Sequence, residues 1–375
     1  MDKKCLVVAA LVAVLPVQVV AASQVAETGP VLQLELLSAM AIEGCSPTSG
    51  MCPPASGYFM AALDLASSEP FAPCREMALA LKRKGLRRDT LLRFALSLSE
   101  PPGLKRFAPF VQYHGGEAIS DAELDEYLDC LRAPERAALF KKFFASSSAE
   151  LRRIGVAGAS CGDAAAVTEA AAGFFGFSPE RFIFAPTMLL RGRGGWGGAV
   201  GTSGGAAVYA VYGYAPGMYG DCFKVRAIAR HEFSHGLLAA ALKDREPASG
   251  PFMFLLSFPR MLMSGYTSSA SITEEYLARA ASVLLAEKAG RPDDAALELS
   301  IYRKSGFRDI DRFVGILREY DSGRDKYRDF GAFGERLNGE LWRAERRARL
   351  LWGSIAGLLL ATLWFWKAGR SRGVR

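Results

Sequence analysis

The chain has 375 residues, half of them apolar, with 46 Lys or Arg against 39 Asp or Glu and only three histidines. That length and apolar content supply a sizeable core, for one large domain or two medium ones, and exclude a disordered chain. The formal net charge of +7 makes no case for nucleic acid: residues 343–375 carry eight Lys or Arg and one Glu, residues 1–22 add one positive charge, and the body from 23 to 342 is left near −1.

The opening MDKKCLVVAALVAVLPVQVVAASQ sets a lysine pair before an uncharged run from Cys5 to Ala22, with small residues at its end. It predicts an export signal, residues 1–22, cut near Ala22; Pro16 and the small-residue end suit cleavage better than an uncleaved anchor. The exported body is then 23–342. Without Cys5 it holds six cysteines, Cys45, Cys52, Cys74, Cys130, Cys161 and Cys222, an even number that suits three disulfides. Cys45 and Cys52, around the turn-rich SPTSGM, are the favoured local pair, and the other pairings stay open. No CxxC occurs, which speaks against a thiolate zinc site.

From about 23 to 175 the chain reads as helical. In ISDAELDEYLDCLRA, Ser120 and Glu123 form a capping box, and Leu124, Leu128 and Leu131 line one face. The texture changes after residue 178. RFIFAPTMLL and AAVYAVYGYAPG are expected to be short strands around the glycine-rich RGRGGWGGAVGTSGG, which lacks the GxxxxGK[ST] of a phosphate loop and is read as a hairpin connection. A strand and metal-site part is therefore expected over about 176–342, closing with FRDIDRFVGILREY, where Ile310, Phe313, Val314 and Leu317 form a stripe.

Between these lies ARHEFSHGLL, residues 229–238, with two of the three histidines. On a helix, i and i+4 face the same way, so His231 and His235 present two imidazoles to one metal ion, with Glu232 beside a metal-bound water. Zinc held for hydrolysis wants three protein ligands and an open position. HGLLAAALKD has no third histidine six residues on, so the third ligand comes from elsewhere. In SASITEEYLARAASVLLAEK, Glu274 and Glu275 follow His235 by 39 and 40 residues. A carboxylate from this second helix completes a His2Glu site. Glu275 is preferred, because Leu277, Ala280 and Leu284 suggest a buried face near it and Arg279 at i+4 can hold its second oxygen. Glu274 stays an alternative, and a solvated acidic first turn favoured by the helix dipole is a competing account of the pair.

The last apolar run, Leu350 to Trp366, has 17 uncharged residues closed by Arg349 and Lys367. At 1.5 Å per residue it reaches about 26 Å, which predicts a transmembrane helix at 350–366 with a basic cytoplasmic tail at 367–375. The expected location is the bacterial cell envelope, with a single pass through the inner membrane and the domain on the periplasmic or extracellular side.

With these residues in view, the chain resembles a family of exported bacterial proteins of unknown function marked by HEFSH and a downstream helix reading E-x-x-x-R-A. Here these are His231-Glu232-Phe233-Ser234-His235 and Glu275 through Arg279-Ala280. LELLSAM, GYFMAALD and LREYDSGRDKYRDFGAF resemble its other blocks. Two features depart from the family: GLLAAALKD stands where it tends towards Asn-Pro after HEFSH, and the hydrophobic C-terminal segment is an addition. The resemblance implies a gluzincin-like zinc site with Glu275 as third ligand and no known substrate.

The expected fold is α+β and mostly helical, zincin-like, with a small sheet beside the HExxH helix and one C-terminal transmembrane helix. The expected function is zinc-dependent hydrolysis of a peptide or protein substrate, with Glu232 as general base and AAVYAVYGY as an edge strand for an extended peptide. Tyr266, Tyr302 and His114 are candidate oxyanion donors. The alternatives are an exported protein that binds a peptide or envelope component without cleaving it, and a helical interaction module with an incidental HExxH.

Overall fold

The computed structural model describes residues 25–28, 30–41, 57–86, 88–107, 110, 118–161, 164–176, 179–187, 189, 195–201, 206–213, 221–242, 254, 261, 268–327 and 329–372. Its centre is one mixed sheet of four strands in the order β1-β2-β4-β3. Strands β1 (Val25–Thr28), β2 (Arg181–Thr187) and β4 (Ala206–Gly213) run parallel, and β3 (Gly195–Gly201) is antiparallel to β4. The middle strands, RFIFAPT and AAVYAVYG, are buried almost throughout. Apolar side chains in unbroken runs are what a sheet covered on both faces requires.

Each face has its own core. Ile183, Ala185, Ala207, Tyr209 and Val211 turn towards the N-terminal helices α1 (Leu32–Ala41), α2 (Gly57–Ser67), α3 (Ala72–Lys84), α4 (Arg88–Leu96), α5 (Asp121–Arg132) and α6 (Pro134–Cys161). Phe182, Phe184, Val208, Ala210 and Tyr212 turn the other way. They meet α7 (Ala164–Phe175), α8 (Cys222–Leu242), α9 (Ser269–Lys288), α10 (Pro292–Lys304), α11 (Ile310–Ser322) and the start of α12 (Phe330–Arg372). The result is three layers, helices on sheet on helices.

Local signals act where expected. Ser120 accepts from the Glu123 amide at 3.2 Å while the Glu123 carboxylate accepts from the Ser120 amide at 2.9 Å, closing the capping box of α5. Leu124, Leu128 and Leu131 are fully buried below it, as are Ile310, Phe313 and Leu317 on α11. Two disulfides join helices: Cys74–Cys130 ties α3 to α5, and Cys161–Cys222 ties the end of α6 to the first residue of α8. Cys45 and Cys52 lie outside the described residues, and so does the expected signal at 1–22.

Three expectations are corrected. The glycine-rich stretch is more than a connection, because Gly195–Gly201 is itself strand β3. Glycine disguises a strand, having low β-propensity and no side chain to show alternation. Its use here is close approach: a Cβ on Gly195 would strike the Glu232 carboxylate, one on Gly197 the Glu232 backbone carbonyl, and one on Gly236 would lie 2.9 Å from the Gly198 backbone. Strand and helix touch main chain to main chain. Second, β4 lies between β2 and β3, so AAVYAVYGY is not an edge. The edge on that side is β3.

The third correction concerns the membrane. Among the described residues no helix is long and apolar enough to cross one. This overturns the transmembrane helix in the expected fold, and with it the membrane contact through that helix and the single-pass inner-membrane location. Residues 350–366 continue α12, whose first part is built into the body through the buried Phe330, Phe333, Leu337, Leu341 and Ala344. The uncharged run has 17 residues, at the short end of what a span requires, and it is preceded on the same helix by Arg343, Arg346, Arg347 and Arg349.

The strand–helix contact predicts a contrast between two glycines. Gly197→Ala meets backbone that no rotamer change relieves and lowers unfolding stability by about 1–3 kcal/mol. Gly315→Ala on α11, where an added Cβ meets nothing within 4 Å, raises it by about 1 kcal/mol. Urea unfolding measures both, and an unchanged midpoint for Gly197→Ala would contradict the close approach.

Candidate metal centre

The site is built by two helices and one strand edge. Helix α8 passes under β3 and carries His231, Glu232 and His235, with Phe233, Leu237 and Leu238 anchored in the core. Helix α9 starts at Ser269 behind a capping box of Ser268 and Ser271, so Glu274 and Glu275 lie beyond its first turn. The helix-dipole account of the pair therefore finds no support, and Glu275 is only 5% exposed.

His231, Glu232 and His235 offer donor atoms that all lie within 4.8 Å of one another, a group able to hold a metal ion. Glu275 faces the same point. Its Oε2 is 3.3 Å from His235 Nε2, its Oε1 is 3.5 Å from His231 Nε2, and the two imidazole nitrogens are 3.3 Å apart. Tetrahedral ligands at about 2.0–2.1 Å from zinc lie about 3.3–3.4 Å from each other. The His231–His235 and His235–Glu275 Oε2 separations match that spacing, His231 faces the other Glu275 oxygen, and the donor set suits a borderline metal.

The two adjacent glutamates have separate places. Glu274 is half exposed and its Oε1 lies 3.1 Å from His235 Nδ1, the nitrogen that faces away from the other donors. A carboxylate there fixes the tautomer and ring of a ligating histidine. Glu275 instead enters the centre, and Arg279 Nη2 lies 2.5 Å from its Oε1. The Arg279 guanidinium is stacked between Phe307 and Tyr302, 4.2 and 4.7 Å from the ring centres. His231 Nδ1 is buried with no hydrogen-bond partner among the described residues.

Charge is distributed unevenly over the two histidines. Burial pushes the His231 imidazole down to about 3, against the pull of Glu275, so it offers a neutral nitrogen. Burial acts downwards on His235 too, but the hydrogen bonds its ring donates to Glu274 and Glu275 outweigh it and hold its pKa well above the ordinary histidine value. Burial would raise Glu275, yet the hydrogen bond from His235 and the charges of Arg279 and His235 hold it well below the usual carboxylate range.

All four residues expected at the centre, His231, Glu232, His235 and Glu275, are thus brought together. Tyr302, a candidate oxyanion donor, has its hydroxyl engaged by Glu298 at 3.1 Å. Tyr266 and His114 lie outside the described residues. Sequence reasoning missed Arg93 of α4, whose guanidinium lies 5.3 Å from the Trp196 ring centre on β3 and whose charge helps lower Glu274. It also missed Gly195 and Gly197 beside Glu232. Neither had a local signal, since both depend on how distant segments meet.

The chain matches no protein-family model, no curated protein and no solved structure. The resemblance to the HEFSH family is carried by the motifs alone, and the chemistry is argued from the geometry.

Two outcomes follow. A metal must displace the proton that His235 holds at neutral pH, so affinity rises with pH up to the raised His235 value, and binding releases about one proton. Calorimetric titration with zinc in buffers of different ionisation enthalpy measures this; heats that do not depend on the buffer would contradict it. Glu274→Ala should weaken zinc binding about 10- to 100-fold, as loss of an outer partner does, and Glu275→Ala should weaken it more. The reverse order would exchange their roles.

Proposed function

We propose that the chain is a zinc-dependent hydrolase of peptide bonds. The observation that carries this reading is the convergence of the His231 and His235 imidazoles and the Glu275 carboxylate, each within 3.5 Å of the next, with a buried fourth group, Glu232, beside them. A purely structural zinc takes four protein ligands, whereas three ligands with an adjacent carboxylate are the arrangement that activates water. Zinc held by these three residues would supply a Lewis acid that polarises the scissile carbonyl and acidifies water.

The chain's own residues do the rest. Glu232 takes the proton of the attacking water and delivers it to the leaving amine nitrogen. It is held for this by α8 below and by β3 at Gly195, whose missing side chain leaves room for the carboxylate. Arg279 keeps one Glu275 oxygen engaged and leaves the other to the metal. Glu274 orients the His235 ring. The outer edge of β3 carries no strand among the described residues, and it runs beside Glu232. An extended peptide pairing there would lay its main chain along the centre, which favours a peptide over a compact small molecule.

Glu232→Gln should keep stoichiometric zinc and lower peptide turnover about 10²- to 10⁴-fold. His235→Ala should lose the zinc as well. A library of internally quenched peptides, read together with metal content, tests both, and cleavage by Glu232→Gln at the parent rate would sink the mechanism. Zinc binding without cleavage of any peptide, in the parent and under conditions that fill the site, would favour recognition without hydrolysis.

A further inference from the structure

Behind the metal-binding atoms lies a second set of buried charges. Arg230, the residue before His231, is fully buried on α8, and Glu298 of α10 is 1% exposed. Arg230 Nε donates to Glu298 Oε1 at 3.1 Å, and Arg230 Nη2 donates to the same oxygen. The other carboxylate oxygen accepts from Ser282 Oγ of α9 at 2.6 Å and from the Tyr302 hydroxyl at 3.1 Å. The Tyr302 ring in turn supports Arg279, and Arg279 holds Glu275. One carboxylate therefore connects the histidine helix to the third ligand, through groups on α8, α9 and α10.

A second rung repeats the pairing one turn away. Arg226 Nε donates to Asp294 Oδ2 at 2.9 Å and Arg226 Nη2 to Oδ1 at 3.1 Å. Arginines at 226 and 230 thus face acids at 294 and 298 along the α8–α10 contact, and Arg230 Nη2 also lies 3.4 Å from Asp294 Oδ2. The inner rung is an inefficient way to stabilise a core. Desolvating two ions offsets their attraction, and apolar side chains of similar volume are often neutral or stabilising in such a place. What such ions can add over apolar packing is directional contact that ties named groups on different helices together.

We propose that Glu298 is a positioning residue of the metal centre. By binding Arg230, Ser282 and Tyr302 at once, it sets the separation of α8 and α9 and hence the distance between His231 and Glu275. The proposal rests on the metal-site reading above.

The test uses the full chain, with zinc and cobalt(II) as probes. In the double variant Arg230→Met/Glu298→Leu, the thermal midpoint of the metal-free protein should stay near that of the parent. Its zinc affinity should fall about 10-fold or more, and the visible spectrum of its cobalt form should change. Tyr302→Phe removes only the hydroxyl between Glu298 and the ring under Arg279. It should weaken zinc binding about 5-fold, while the thermal midpoint of the metal-free protein falls by no more than the few degrees that one hydrogen bond is worth. If the double variant does not fold, Tyr302→Phe decides alone. Parent-like zinc affinity and cobalt spectrum in a folded variant would overturn the proposal. A folded parent that binds neither metal would overturn the metal-site reading itself.

Discussion

Two imidazoles and a carboxylate share one small volume between α8 and α9, and each would be costly to bury alone. An isolated ionised side chain in the interior loses several kcal/mol of solvation, or else gives up its charge. Here the groups compensate one another: His231 is neutral, His235 carries a proton between Glu274 and Glu275, and Arg279 supplies the balancing charge. A binding constellation of this kind works when its groups are held to within about 0.5 Å. The core around them serves that spacing. Tyr276, Leu277, Ala280 and Ala281 of α9 and Phe233 and Leu237 of α8 are buried in one continuous cluster.

The sheet encloses Glu232 as α10 braces the helix that carries His231 and His235. Because β2 and β4 are covered on both faces, the sheet is rigid in the middle, and β3 is the strand left at the edge over α8. Glycines at 195, 197 and 236 let that edge descend onto the helix, so the Glu232 carboxylate is enclosed by main chain as well as by side chains. The N-terminal helices back the opposite face of the same strand through Trp196, and Arg93 reaches it from α4. The two halves of the chain therefore meet at the site, and the helical half has a place in its electrostatics.

Local chemistry was legible in the sequence, and assembly was not. The capping box at Ser120 and Glu123, the stripe on α11 and the i, i+4 pair His231 and His235 are all written within one or two helical turns, and each reads correctly. HEFSH and the segment from Glu275 to Ala280, on which the family resemblance rests, are the two segments that meet. The choice between Glu274 and Glu275 depended on the rotational phase of α9, which the flanking apolar residues mark only weakly. Strand β1 pairs with β2 across more than 150 residues, with Arg181 bonded to Glu27, and parallel pairing of that span has no local pattern. Strand β3 was hidden by its own glycines. The 17-residue run at 350–366 misled for the opposite reason: composition suggested a membrane span, and a short run preceded by arginines on the same helix did not sustain it. Arg230 and Glu298 were readable in principle, since charges repeat at i and i+4 on both helices, but only with the knowledge that those helices touch.

The most direct test of the account is the zinc K-edge X-ray absorption spectrum of the chain loaded with one equivalent of zinc. The account predicts light nitrogen or oxygen neighbours at about 2.0–2.1 Å, the outer-shell scattering of two imidazoles and no sulfur. A spectrum with sulfur neighbours, or without imidazole scattering, would contradict it.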